Sequence, residues 1–122
     1  MLTRTLEQSL RDRRGGQLSF LLLGGEGRPA SDRLAVTWVE GSPGSEQPLH
    51  RHEHNEQAYV IVQGRGLMTV GDERQEVSRG TLILIPPGEA HSVWNIGEEP
   101  LVYVSASVPP FEIPAGRWAE RP

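Results

Sequence analysis

Cysteine is missing from all 122 residues of this chain. Its absence excludes disulfide bonds, thiolate nucleophiles, iron–sulfur clusters and cysteine-ligated zinc together. Lysine is missing too, since all 12 basic residues are arginine, and Schiff-base chemistry goes with it. No apolar run approaches the length of a membrane span; Leu18–Leu23 is among the longest. Arg4 is not followed directly by an apolar run, so no signal peptide is expected. The net charge is −4, without the basic excess that nucleic acid or an anionic membrane surface attracts. The expectation left standing is a soluble, cytoplasmic protein that handles a small molecule, with neither nucleic acid nor membrane as partner.

What is abundant is punctuation. Fourteen Gly and ten Pro interrupt the chain too often for a helical bundle. At this length one domain over residues 1–122 is expected, able to bury roughly two-thirds of its unfolded surface. The first fourteen residues could form one short helix, with Thr5 as N-cap, Leu6 and Leu10 on one face, and Gly15-Gly16 as the stop. Residues 1–16 are thus read as an N-terminal arm or short helix. From Gly16 onward, short apolar runs alternate with turn signals, the pattern of an all-β sandwich or barrel with less than about one-fifth helix. Strands are expected near Leu18–Leu23, Leu34–Val39, Gln57–Val62, Leu67–Val70, Arg74–Val77, Leu82–Ile85, His91–Asn95 and Leu101–Ser107. Gly71-Asp72 and Ser78-Arg79-Gly80 read as hairpin turns. Pro86-Pro87-Gly88 supplies too few amide donors to continue a strand. The Pro-rich segment 109–122, with Phe111, Ile113 and Trp118, reads as an ordered arm.

The chain has four histidines. His50, His52 and His54 fall within five residues, and His91 opens a later strand. On a strand, residues two apart share a face, so His50 and His52 can bring two imidazoles to one point. Neutral imidazole is the commonest protein ligand for first-row transition metals.

The surrounding spacing sharpens this. Gly44, five residues, His50-Arg51-His52, four residues, Gln57, six residues and Gly64 resemble the first motif of the cupin superfamily, with Gln in the usual Glu position. Gly80, five residues, Pro86, one, Gly88, two, His91, three and Asn95 resemble the second motif throughout. Residues 44–64 and 80–95 therefore carry the resemblance, separated by the compact fifteen-residue interval of small bacterial cupins. It implies an antiparallel double-stranded β-helix, or jelly-roll barrel. It also implies one divalent transition metal ion (Mn, Fe, Ni or Zn) held by His50, His52, His91 and the acidic or amide residue of the first motif.

For that last ligand, Glu56 and Gln57 compete. Glu56 has a permitted gap from His52 but stands seven residues before Gly64, whereas Gln57 satisfies both intervals and is favoured. Alternation does not decide, because Ala58, Val60 and Val62 on one parity and Tyr59 and Ile61 on the other can all be buried. With Gln57, three neutral imidazoles and a carboxamide leave a divalent ion at its full charge, which favours an anionic chelating guest such as a dicarboxylate or enolate.

Other residues receive plainer readings. His54 is expected in solvent or behind the ligands, and Asn95 in a turn. Trp94 reads as a buried plug, Tyr59 and Tyr103 as core, Arg51 and Arg65 as surface ion-pair partners, and Glu98-Glu99 as a solvated turn. The functions implied are a dioxygenase-type oxidoreductase, a sugar isomerase or epimerase, or a non-catalytic module binding a sugar or dicarboxylate. A homodimer is expected, because one parity of Leu18–Leu23 needs cover outside its own barrel.

Overall fold

The structure is a computed structural model and describes residues 1–24 and 31–110. The expectation for Phe111, Ile113 and Trp118 lies outside the described residues. Among the described residues there are nine strands: β1 Leu10–Arg14, β2 Gln17–Leu23, β3 Ala35–Gly41, β4 Glu56–Gln63, β5 Arg65–Val70, β6 Glu73–Ser78, β7 Leu82–Ile85, β8 His91–Asn95 and β9 Leu101–Val108. Six form one sheet in the order β1-β2-β3-β9-β4-β7, and three form a second in the order β6-β5-β8. Every named pairing is antiparallel. The fold is the expected all-β jelly roll.

Alternation of side chains explains how the sheets close on one another. In β3, Ala35, Thr37, Val39 and Gly41 are buried while the residues between them are half-buried. In β4, Gln57, Tyr59 and Ile61 face inward, and in β9 the matching row is Leu101, Tyr103, Ser105 and Ser107. These meet Met68, Val77 and Val93 from the smaller sheet to form the apolar core. The chain passes from β4 into β5 at Gly64, whose φ of +90° suits glycine. A Cβ there would stand 2.6 Å from the Pro100 carbonyl oxygen, so the turn has no room for a side chain.

Three expectations need correction. The first fourteen residues are not one helix: a single 3-10 turn, Leu6–Gln8, is capped by Thr5, whose hydroxyl accepts from the Gln8 amide. The stretch Leu10–Arg14 is instead an edge strand, registered by Leu10 opposite Leu21 and Arg14 opposite Gln17. Pairing with β2 overrides a composition that reads as helical. Second, Ser78-Arg79-Gly80 does turn, with the Thr81 amide donating to the Ser78 carbonyl at 3.0 Å. It is not a hairpin, because β6 and β7 belong to different sheets. Third, Trp94 is not a plug: His91, Val93 and Asn95 take the inward parity of β8, and Trp94 is 42% exposed.

Candidate metal centre

The two histidine-bearing segments meet because the backbone pairs them. Gln47 donates its amide to the Val93 carbonyl, and the Asn95 amide donates to the Ser45 carbonyl, so the chain before His50 runs antiparallel along β8. His50 and His91 are then opposite one another and exchange both backbone hydrogen bonds, at 3.1 and 2.8 Å. Opposed residues of an antiparallel pair present their side chains to the same face. Their ring centroids lie 4.2 Å apart. His52 follows in irregular backbone rather than in a strand, but its carbonyl accepts from the Gly88 amide at 2.9 Å, which ties it to the Pro86–Gly88 turn. The His50 and His52 rings are 5.1 Å apart. One donor atom from each of His50, His52 and His91 falls within 4.8 Å of the others.

The protonation pattern suits ligation. The Nδ1 of His50 lies 2.7 Å from the Pro48 carbonyl oxygen, and that of His91 lies 3.0 Å from the Glu89 carbonyl oxygen. A carbonyl only accepts, so each Nδ1 carries the proton, and a neutral ring leaves its Nε2 lone pair available. The Nε2 of His91 is buried without a hydrogen-bond partner. Burial lowers the His91 pKa to about 4; the hydrogen bond to Glu89 opposes this, and the charges of His50 and His52 add to it. Burial, followed by the charge of His50, also holds His52 below the usual imidazole value. The neutral form is the form that binds a metal. Three nitrogens each about 2.1 Å from one ion stand no more than about 3.6 Å apart on average, so rings whose donor atoms lie within 4.8 Å of one another must draw inward to share one.

The larger sheet faces this cluster with Gln57. It is buried, its Nε2 donates to the Ser105 hydroxyl at 3.4 Å, and its Oε1 has no partner. Glu56 is exposed on the opposite parity of β4. His54 is exposed and stands outside the cluster of three. Asn95 holds the turn after β8: its Nδ2 donates to the Gly41 and Glu99 carbonyls, and its Oδ1 accepts from the Gly97 amide. Glu98 and Glu99 are exposed in that turn. The ion pairs expected for Arg51 and Arg65 do not form among the described residues; Arg51 instead stands at the lip of the cavity.

That cavity, about 610 Å³, is lined by His50, His52 and Gln57 and extends toward β2, β3 and β9. Tyr59 closes its floor. Its ring meets His91 edge-on at 6.0 Å and stacks on Tyr103 at 4.7 Å. Burial raises the Tyr59 hydroxyl to about 12, so it stays protonated beside the Gln47 side chain, 3.3 Å away. Ser105 and Gln47, which support Gln57 and Tyr59, were not singled out from the sequence. The visible signal for Ser105 was a run of small polar residues on the inward parity of β9.

Three comparisons bear on this geometry. A family model described as the cupin domain matches residues 37–107. A 68-residue stretch is 46% identical to the uncharacterized protein MJ1618 of Methanocaldococcus jannaschii, over 56% of this chain and 54% of that protein. A 63-residue stretch is 43% identical to gentisate 1,2-dioxygenase of a Ralstonia species, over 51% of this chain and 18% of that enzyme. The chain thus spans about half, or less, of these relatives. Among solved structures, a predicted oxalate decarboxylase from Thermotoga maritima superposes with a TM-score of 0.77 at 22% identity, over 90% of this chain and 100% of that one. That likeness is one of fold.

Proposed function

The chain belongs to the cupin family, and on that premise we propose that His50, His52, Gln57 and His91 together hold one divalent transition metal ion, of the Mn, Fe, Ni or Zn kind, facing a small oxygenated anion in the cavity. The observation that carries this is convergence. Two buried lone-pair donors lack partners: His91 Nε2, which belongs to the cluster of three histidines, and Gln57 Oε1, whose residue lines the same cavity as His50 and His52. Unpartnered buried polar atoms are costly, and a shared cation removes the cost. When bound, such an ion supplies Lewis acidity and, if redox-active, a place for dioxygen.

The protein's own residues do the rest. The Pro48 and Glu89 carbonyls orient the imidazoles of His50 and His91, and the Tyr59 ring, part of the apolar core, limits rotation of His91. All four ligands being neutral, an anionic guest is favoured at the site. The reaction we favour is of the dioxygenase type, supported by the stretch shared with the Ralstonia enzyme. A non-catalytic ligand-holding role is the second reading: the lining offers hydroxyls and amides, with Asp12 and Glu46 as its acidic residues.

The decisive experiment is elemental analysis of protein loaded with each metal in turn. Wild type should carry about one ion per chain, and His91→Ala should carry none while keeping its β-type circular dichroism. Full metal content in folded His91→Ala would overturn the assignment.

We also propose a cytoplasmic homodimer. No helix among the described residues is long and apolar enough to cross a membrane. The support for pairing differs from that expected of Leu18–Leu23, because Phe20 is buried, with the Arg11 guanidinium over its ring at 4.9 Å. Among the described residues, exposed apolar side chains on the large sheet's outer face are Leu82 and Leu84 on the edge strand β7, Val60 on β4 and Val108 on β9. An edge and face of this kind need cover. Light scattering should report twice 13.5 kDa; a monomer mass at every concentration would reject pairing.

A further inference from the structure

The cavity extends well past the histidines, and its far wall has a chemistry of its own. Thr37 on β3 and Ser105 on β9 are directly opposed in the sheet and both buried. Beside them Tyr103 is 1% exposed. Its hydroxyl makes no well-formed hydrogen bond, although the Gln17 and Tyr59 side chains approach it. Ser45, which packs beside Gly16 and Gly41, also has a buried hydroxyl without a partner. Barrel interiors are normally filled by apolar side chains, as the other half of this one is. Here the wall is made of neutral groups, nearly all of which both donate and accept.

That set of groups selects a partner. A second carboxylate would be met by donors alone and by positive charge; Gln17, Thr37, Tyr103 and Ser105 carry none, and Arg14 of the same lining is exposed and lies 3.5 Å from Asp12. An aromatic ring would be met by apolar surface, which Val39 and Pro48 supply only in part. Alcohol groups match best, since a hydroxyl donates and accepts like the hydroxyls and amides facing it. A 610 Å³ cavity also has room for a ligand reaching beyond an ion's own coordination sphere. Building on the metal site proposed above, we propose that Gln17, Thr37, Tyr103 and Ser105 form a second subsite that selects polyhydroxylated carboxylic acids. The acid end lies at the histidines and the hydroxylated chain lies along this wall.

The test uses the metal-loaded full chain and three acids with the same 2-hydroxycarboxylate head: glycolate, D-gluconate and mandelate. Calorimetric titration should show D-gluconate binding at least about tenfold more tightly than either of the others. Tyr103→Phe and Thr37→Val, both near-isosteric, should each erase most of that preference while glycolate affinity stays within about twofold. Equal affinity for D-gluconate and glycolate, tightest binding of mandelate, or an undiminished preference in both variants overturns the subsite. Metal content read on the same samples separates the failures. Stoichiometric metal without the preference overturns the subsite alone, and no metal uptake by wild type overturns both proposals.

Discussion

The interior of this barrel is divided between two regions built from the same strands. Away from the histidines, Ile61, Ile85, Met68, Val77 and Val93 pack into an apolar cluster. Toward the histidines, the same inward rows of β3, β4 and β9 carry Thr37, Gln57, Ser105 and Ser107, all buried. One step of two residues along β4 separates Gln57 from Tyr59, and another reaches Ile61. The apolar half gains from every group removed from water, whereas the polar half pays desolvation for each atom it leaves unpartnered. The comparison teaches that stability and function occupy opposite ends of one sheet, and substitutions at the two ends should register in different measurements.

The largest effect is expected in the apolar half. Ile61→Ala removes a side chain that is 1% exposed, and should destabilise the fold by about 2–5 kcal/mol in denaturant titration. The donor atoms of the histidines are untouched, so the folded fraction should still bind metal. A loss of metal at full stability would break the division.

In the polar half, Gln57→Ala should weaken metal binding by about tenfold or more, while Glu56→Ala should change it little. Competition with a chelator measures both. The reverse order would place the ligand on the exposed parity of β4 and undo the assignment.

The smallest effect is a dependence on pH in the metal-free protein. An unfolded chain protonates His91 near the ordinary value of 6.5, whereas the folded chain resists until about 4, and His52 is shifted in the same direction. Between those values the unfolded state binds more protons, so stability falls as pH falls. The contribution is complete above 6.5 and is lost toward 4. Thermal melts of the metal-free protein should show Tm declining across this window, and the decline should lessen in His91→Gln. A flat Tm would show that His91 is not held neutral by burial.

Much of the architecture follows from local chemistry that a sequence displays. The bounds expected for β7 and β8 are those observed, because Pro86-Pro87 ends the first and the inward row His91, Val93, Asn95 marks the second. The spacing of His50 and His52 pointed to two converging imidazoles, the resemblance to the cupin motifs implied His91 as a third, and the geometry brings all three together. Other features were set by partners distant in the chain. Leu10–Arg14 has no strand signature of its own and is a strand only because β2 pairs with it. Neither Gln57 nor Glu56 could be placed inward by alternation, since both parities of β4 are largely apolar; the packing of β4 between β9 and β7 buries Gln57, Tyr59 and Ile61. Trp94 faces outward for the same reason. The sequence by itself therefore determined the turns, the strand runs and the set of metal-binding residue types, because these depend on backbone freedom and side-chain chemistry close along the chain. The tertiary structure alone decided which face of each strand is inside, and so which polar atoms are buried without partners, because pairing register and sheet closure join residues that lie far apart in sequence.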